Sequence, residues 1–211
     1  KMSINTKAGF SIVSWTGDNS IRTIPHGLNE APEFFILKGL DGRAWATYHD
    51  RYSAGNNTTN TGNYYAQLNS GVPQVDNAMF NSTAPTADVF TVGTYNYVNN
   101  INYMGYFWHS VPGYSFIGKW IGTGANDGTY VHCGFKPSWV IIREDSAAGE
   151  NWYLIDNKRM PLNKATGATV KLNANTNYSE ASAQQGTAAV DFLAGGIKIR
   201  TTNAGSGELS Y

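Results

Sequence analysis

The chain has almost nothing with which to crosslink itself. Cys133 is the single cysteine among 211 residues, which excludes an internal disulfide and any metal site built on several thiolates. Charge is also scarce: Asp, Glu, Lys and Arg make up 14% of the chain and cancel to a net charge of zero. A neutral chain without a Lys/Arg cluster lacks the electrostatic footprint of a nucleic-acid or anionic-membrane binder. No apolar run approaches the roughly 20 residues of a bilayer-spanning helix. The opening KMSINTKAGF has no apolar signal-peptide core and reads as the start of a fragment. Strong helix formers are sparse, and no amphipathic helix stands out. HExxH, GxSxG, a P-loop and a GxGxxG leading into a helix are all missing. These residues therefore point to no cofactor, no metal and no catalytic activity.

What is there is β-forming. Gly numbers 23, Tyr 13 and Trp 6, and short β-branched and aromatic runs alternate with Gly/Asn/Ser/Asp turns, as in all-β sandwiches and barrels. The chain also repeats itself. GFSIVSWTGD at 9–18 answers GYSFIGKWIGTG at 113–124, and IPHGLNEAPEFFILK at 24–38 answers VHCGFKPSWVIIR at 131–143. Gly9 maps to Gly113, Trp15 to Trp120, His26 to His132 and Pro32 to Pro137. Lys38 maps to Arg143 and Trp45 to Trp152. FTVGT at 90–94 lies over IKIRT at 197–201, and NYMGY at 102–106 over GELSY at 207–211. The order is kept and the offset drifts little, as small loop insertions would cause.

The expected architecture is all-β, with two tandem homologous β-sandwich, jelly-roll-like units of about 100 residues each. Residues 1–8 form a lead-in, 9–112 the first unit and 113–211 the second, whose last strand reads as cut short at Tyr211. Each unit holds about eight strands. SWTGDNSIRTI looks like a hairpin, EFFILKG like a central strand covered on both faces, and AWATYH like its returning neighbour. NYYAQLN, NAMFN, DVFTVG and NINYMGYFWHS supply the rest. The recurring His motif reads as a structural turn: Pro25 ends a strand, His26 bonds to backbone, Gly27 takes φ > 0 and Pro32 sets up the next strand. His132, Gly134 and Pro137 take the same parts in the second unit. Cys133 reads as a small buried filler.

Binding residues are sought in the loops, because loops that differ between copies of one scaffold carry function. RYSAGNNTTNTGNYYAQLN at 51–69 has no close counterpart. Tyr52, Asn56, Asn57, Asn60, Tyr64 and Tyr65 suit a sugar, with aromatic faces for its C–H groups and amides for its hydroxyls. The alternative is a solvated loop with Tyr64 and Tyr65 in a strand. Tyr95, Tyr97 and Tyr103 raise the same choice. A glycosidase needs two facing carboxylates; Asp50 with Asp88, or Glu33 with Asp156, are pairs that nothing in the sequence selects. GTGANDG at 122–128 lacks the acid density of a Ca²⁺ loop.

The succession GFSIVSWTGDNSIRTIPHGLNEAPEFFILK…WATYH, AMFNSTAPTADVFTVGT, DGTYVHCGFKPSWVIIR…ENWYLIDNKR and GIKIRTTNAGSGE resembles a duplicated all-β virion protein family of marine bacteriophages, tail-fibre-like in character. The resemblance covers residues 9–211. It implies a structural protein of the particle and no catalytic residues. Where that family has HGLG, this chain has HGLN, with Asn29 at the last position, and the second unit has HCGF. If φ > 0 is needed there, Asn is the next-best residue after Gly. The leading expectation is a tail fibre or spike-type appendage on the virion surface, contacting a host glycan or protein. Its partners would be other virion proteins and copies of itself, a trimer favoured; nucleic acid and membrane insertion are not expected. A capsid decoration or baseplate part without a ligand, and a polysaccharide-degrading enzyme, are the alternatives.

Overall fold

The structure is a computed structural model. It describes residues 1–52, 60–70, 75–76, 78–94, 100–125, 127–144, 151–159, 170–180, 189–200 and 207–210, with backbone alone for 75–76, 78, 144 and 207–210. The chain divides into two compact units. Unit 1 comprises residues 1–68 and 72–111, and unit 2 residues 69–71 and 112–211. Among the described residues there is no α-helix, only two single-turn 3-10 segments, Thr6–Ala8 and Ala78–Phe80. The fold is all-β, as the alternation of strand and turn residues requires.

Unit 1 contains β1 (Met2–Asn5), β2 (Phe10–Thr16), β3 (Arg22–Pro25), β4 (Phe34–Gly39), β5 (Trp45–His49), β6 (Tyr64–Gln67), β7 (Val75–Asp76), β8 (Val89–Val92) and β9 (Asn102–Trp108). Seven of them form one antiparallel sheet in the order β1-β2-β9-β4-β5-β6-β7, while β3 and β8 form a separate pair. The run FFILK sits at the centre of the large sheet, as its apolar continuity predicts. Phe35 and Leu37 send their side chains to the core face, where Val13, Tyr48, Tyr65, Tyr103 and Phe107 join them. From the smaller pair Ile24, Phe90 and Val92 reach the same core, so two layers enclose one apolar interior. Phe35 stacks on Tyr48 at 4.6 Å, and Trp15 meets Phe90 edge-on at 5.5 Å.

Two local expectations are corrected. β2 and β3 are not a hairpin: β2 pairs with β1 and β9, and β3 with β8. The Asp18 carboxylate accepts from the Ser20 amide and hydroxyl, and Asn19 takes φ 60°. That turn carries the chain from one layer to the other instead of returning it beside β2. NAMFN is not a strand: its Ala78–Phe80 turn brings Met79 and Phe80 into the core.

Unit 2 contains β10 (Ile117–Trp120), β11 (Tyr130–His132), β12 (Trp139–Glu144), β13 (Tyr153–Asp156), β14 (Leu172–Asn173), β15 (Val190–Leu193), β16 (Gly196–Ile199) and β17 (Gly207–Ser210). Its sheets run β10-β17-β12-β13-β14 and β11-β16-β15. This is the order of β2-β9-β4-β5-β6 and of β3-β8, with β15 as a further strand beside β16. The registers agree as well. Phe35 pairs with Tyr48, and Val140 with Ile155; Ile24 pairs with Phe90, and Val131 with Ile197. Two alignments shift by a residue. Setting Ile24 against Val131, and Gly27 against Gly134, puts Cys133 rather than His132 at the place of His26. Trp15 pairs with Tyr103 whereas Trp120 pairs with Gly207, so Gly207 answers Tyr103 rather than Asn102. The strand read as a shortened end lies between β10 and β12, inside its sheet.

The His-containing turn is half as expected. Pro25 closes β3, Gly27 takes φ 76° and Gly134 φ 80°. Pro32 lies just before β4, and Pro137 is buried before β12. His26 is fully buried: its Nε2–H donates to the Thr86 carbonyl at 3.0 Å, and Nδ1 accepts from the Leu28 amide at 3.2 Å. His132 departs from this pattern. It is exposed, with its ring 6.3 Å from that of Tyr130. Nor is φ > 0 adopted at Asn29, so this turn places no demand for glycine there. Cys133 is buried, with its Sγ 3.5 Å from the Val131 carbonyl.

Candidate functional site

At one end of unit 1 the two layers part. The inward-facing positions there are Leu37 and Gly39 at the end of β4, Ala46 at the start of β5, Tyr65 and Gln67 on β6, and Tyr103 at the start of β9. With Arg43, Ala44 and Met79 they line a cleft of about 240 Å³. The hollow follows from residue size. Ala46 holds a core-facing position with only a methyl group, because alternate residues of a strand face one side. Leu37, Ala46, Tyr65, Met79 and Tyr103 belong to the buried core, so the cleft has an apolar floor and two tyrosine walls.

Its polar groups come from the rim. The turn after β4 folds back so that Arg43 Nε meets Asp41 Oδ2 at 2.7 Å. Partial desolvation works to raise the Asp41 carboxyl, but the Arg43 guanidinium and amide outweigh it and hold the group below its usual range. Lys38 fastens the same turn: its ammonium donates to the Arg43 carbonyl and lies 5.5 Å over the Trp45 ring. Gly39 permits this close fold, since a Cβ there would stand 2.9 Å from Asp41 and 3.1 Å from both Arg43 and Tyr103. Gln67 adds an amide beside Ala46, its ladder partner. Among the described residues that line it, none is a carboxylate.

Unit 2 fills the equivalent place. The shared register sets Ile142 against Leu37 and Tyr153 against Ala46: Leu37 pairs with Ala46, and Ile142 with Tyr153. Asn173 answers Gln67, which puts Lys171 where unit 1 has Tyr65. Tyr153 is buried, and the Lys171 ammonium lies 5.2 Å over its ring. Burial pushes the Lys171 amine below its ordinary value. A core-facing tyrosine with a cation upon it thus stands where unit 1 has a methyl group and a hollow.

Among the described residues considered from sequence for a sugar site, Tyr65 and Tyr103 line the cleft, and Tyr52, Asn60 and Tyr64 do not. Tyr52 is fully buried, its hydroxyl 3.2 Å from Thr47 Oγ1 and its ring 5.5 Å from His49. Asn60 is buried as the organiser of its loop. Its Oδ1 accepts from the amides of Gly62, Asn63 and Tyr64, and its Nδ2 donates to the carbonyls of His49 and Tyr64. Neither side chain is presented to a ligand, because each satisfies buried polar groups. Tyr64 is half-buried in β6. Tyr65, its neighbour, points the other way and lines the cleft. Asn56, Asn57, Tyr95 and Tyr97 lie outside the described residues.

The acid pairs considered from sequence are occupied with structural tasks. Glu33 accepts from the Ser110 amide, Asp50 lies against His49 and Arg51, and Asp156 accepts from the amides of Lys158 and Arg159. Asp88 is exposed. Asp127 of the Gly/Asn turn binds Lys198 and Arg200 at 3.1 and 2.7 Å. Arg43, Ala46, Gln67 and Met79 are not singled out by the sequence. A signal for Ala46 was present. Aligning Trp45 with Trp152 sets Ala46 against Tyr153, a small residue against a large one in a conserved frame.

The chain belongs to the family described as Domain of unknown function (DUF7483), whose model matches residues 1–210. No curated protein and no solved structure matches it.

Proposed function

We propose that this DUF7483 domain is a non-catalytic structural protein of a bacteriophage particle, a tail-fibre- or spike-type appendage that contacts the host surface. The observation that carries the reading is the pairing of one β frame in two copies, with ladders in matching register, and a cleft in unit 1 at a place where the described residues of unit 2 carry Tyr153 and Lys171. A frame so repeated is a scaffold, and the copy-specific cleft is where recognition resides. The resemblance of the motif succession to marine phage virion proteins supports the same assignment. So do the contacts of Glu33, Asp50 and Asp156 with backbone or basic partners. Appendages act in several copies, so weak single-site contacts sum to firm attachment.

The test is made on particles. Antibody raised against this chain should decorate intact virions and block adsorption to the host. Finding the chain in lysates of infected cells but never on purified particles would refute the assignment. Light scattering of the isolated chain should report a trimer. A clean monomer would move the reading to a decoration or baseplate part that gains its neighbours only in the particle.

A further inference from the structure

We propose that the outer edge of β1 is an interaction surface for a second copy of this chain, two β1 strands pairing antiparallel about a two-fold axis centred on Ser3. The edge follows from the register. The Lys1 nitrogen donates to the Ser14 carbonyl, and the Ser14 amide donates back to the Lys1 carbonyl. Antiparallel ladders alternate such bonded pairs with non-bonded ones, so Ser3 and Asn5 bond to their ladder partners Ile12 and Phe10. Met2 and Ile4 then turn their N–H and C=O groups away from β2, at the end of the seven-stranded sheet. Their apolar side chains are 45% and 48% exposed. Edge strands are commonly blunted by proline, by bulges or by charges. The strand MSIN carries no proline and no charge, and its pairing with β2 runs without a bulge.

A second β1 fits this edge because the strand is complementary to itself. Pairing centred on Ser3 sets Met2 opposite the partner's Ile4, and Ile4 opposite the partner's Met2. Each of these pairs exchanges both of its main-chain bonds, so the outward groups of both strands are satisfied. Met2 and Ile4 stand on the side of Val13 and Ser11, their ladder partners, and lie over Gly27, where a Cβ would run into Ile4 Cδ1 and Met2 Sδ. The apolar side chains of the two copies therefore close into one cluster beside the two Gly27 turns. Charge permits the pairing. Lys1 falls opposite the partner's Asn5, and no like charges, which would destabilise the pair, face each other. So short a strand buries far less than the roughly 800 Å² per partner of a standard interface. A single pairing is weak, and it counts where several copies stand side by side. Being two-fold, it doubles the smaller unit, whether that is one chain or the trimer proposed above, and it does not rest on the host-contact reading.

The test is sedimentation equilibrium of the intact chain over a concentration series up to about millimolar, with amide hydrogen exchange read by NMR. The mass should rise to twice that of the smaller unit and stop there, since a two-fold contact closes. Over the same series the Ile4 amide should gain protection severalfold, while the Ser3 amide, bonded within the chain, stays as it was. Ile4→Lys, which sets a charge on the edge, should weaken the doubling at least about tenfold and leave Ser3 protected. Ile4→Pro, which removes an N–H that β2 does not use, should do the same, and Ile4→Lys carries the test if the proline disturbs β1. No doubling of the parent chain overturns the proposal, as does doubling unchanged in both variants or growth past twice the smaller unit. Protection of Ile4 gained only from another protein of the particle assigns the edge to that partner and overturns self-pairing. Doubling with the chain absent from particles leaves the pairing in place and refutes the virion assignment alone.

Discussion

Lys38 lies over the ring of Trp45 at 5.5 Å, and Arg143 lies over the ring of Trp152 at 5.6 Å. The two pairs hold the same place in the two units, joining the end of one strand to the segment that returns beside it. The unit 2 pair is the deeper: Arg143 is 1% and Trp152 3% exposed, whereas Lys38 and Trp45 are half-buried. Trp152→Ala should therefore cost about 3–5 kcal/mol, and Trp45→Ala distinctly less. Urea unfolding followed by circular dichroism measures both. Equal losses would show that the depth of the pair does not set its contribution.

Asn60 should prove structural rather than ligand-binding. Its side chain makes five hydrogen bonds to backbone groups around the β5–β6 connection. Asn60→Ala leaves buried donors and acceptors unmatched, and about 3 kcal/mol or more is expected to be lost. The thermal midpoint should fall accordingly. A variant of unchanged stability would return Asn60 to the list of candidate contact residues.

His26 makes unit 1 sensitive to acid. Desolvation holds its pKa below the ordinary 6.5, and the opposing pull of the Thr86 carbonyl and of Asp88 does not restore it. A base whose folded pKa is depressed resists a proton that the unfolded chain accepts. Its contribution is thus fully present above about pH 6.5 and is lost as pH falls from there toward the folded value. The slope of stability against pH between 7.5 and 5 should be shallower in His26→Gln than in the parent, from unfolding titrations at each pH. Parallel slopes would assign the acid sensitivity to other groups.

Gly105 is required by its neighbour. A Cβ there would stand 2.5 Å from the Phe107 ring, and Phe107 is fully buried between the layers. Gly105→Ala should cost about 1–3 kcal/mol through overpacking, read as a lowered midpoint in differential scanning fluorimetry. Adding Phe107→Leu should recover part of the loss, because it vacates the contested space. No recovery in the double variant would place the strain elsewhere.

The sequence by itself determined the class of the fold and the equivalence of its two halves. Alternating apolar residues and Gly/Asn turns admit little but β-sheet. The repeat located the central strands β4 and β12, their neighbours β5 and β13, and the correspondence of FTV at 90–92 to IKI at 197–199, because side-chain alternation has period two and a register error would turn a core face outward. Tertiary structure alone decided which strands share a sheet. Nothing local distinguishes a turn that folds β3 back onto β2 from one that sends it to the opposite layer, since that choice depends on where Ile24 finds Phe90 and Trp15. It also decided where each tyrosine sits in the interior. Tyr52, Tyr65 and Tyr103 look alike in a polar, aromatic stretch. Yet one closes on Thr47 and His49, and two border a cleft that opens beside Ala46. A hollow is a property of what surrounds it, so it becomes visible only when the strands that enclose it are in place.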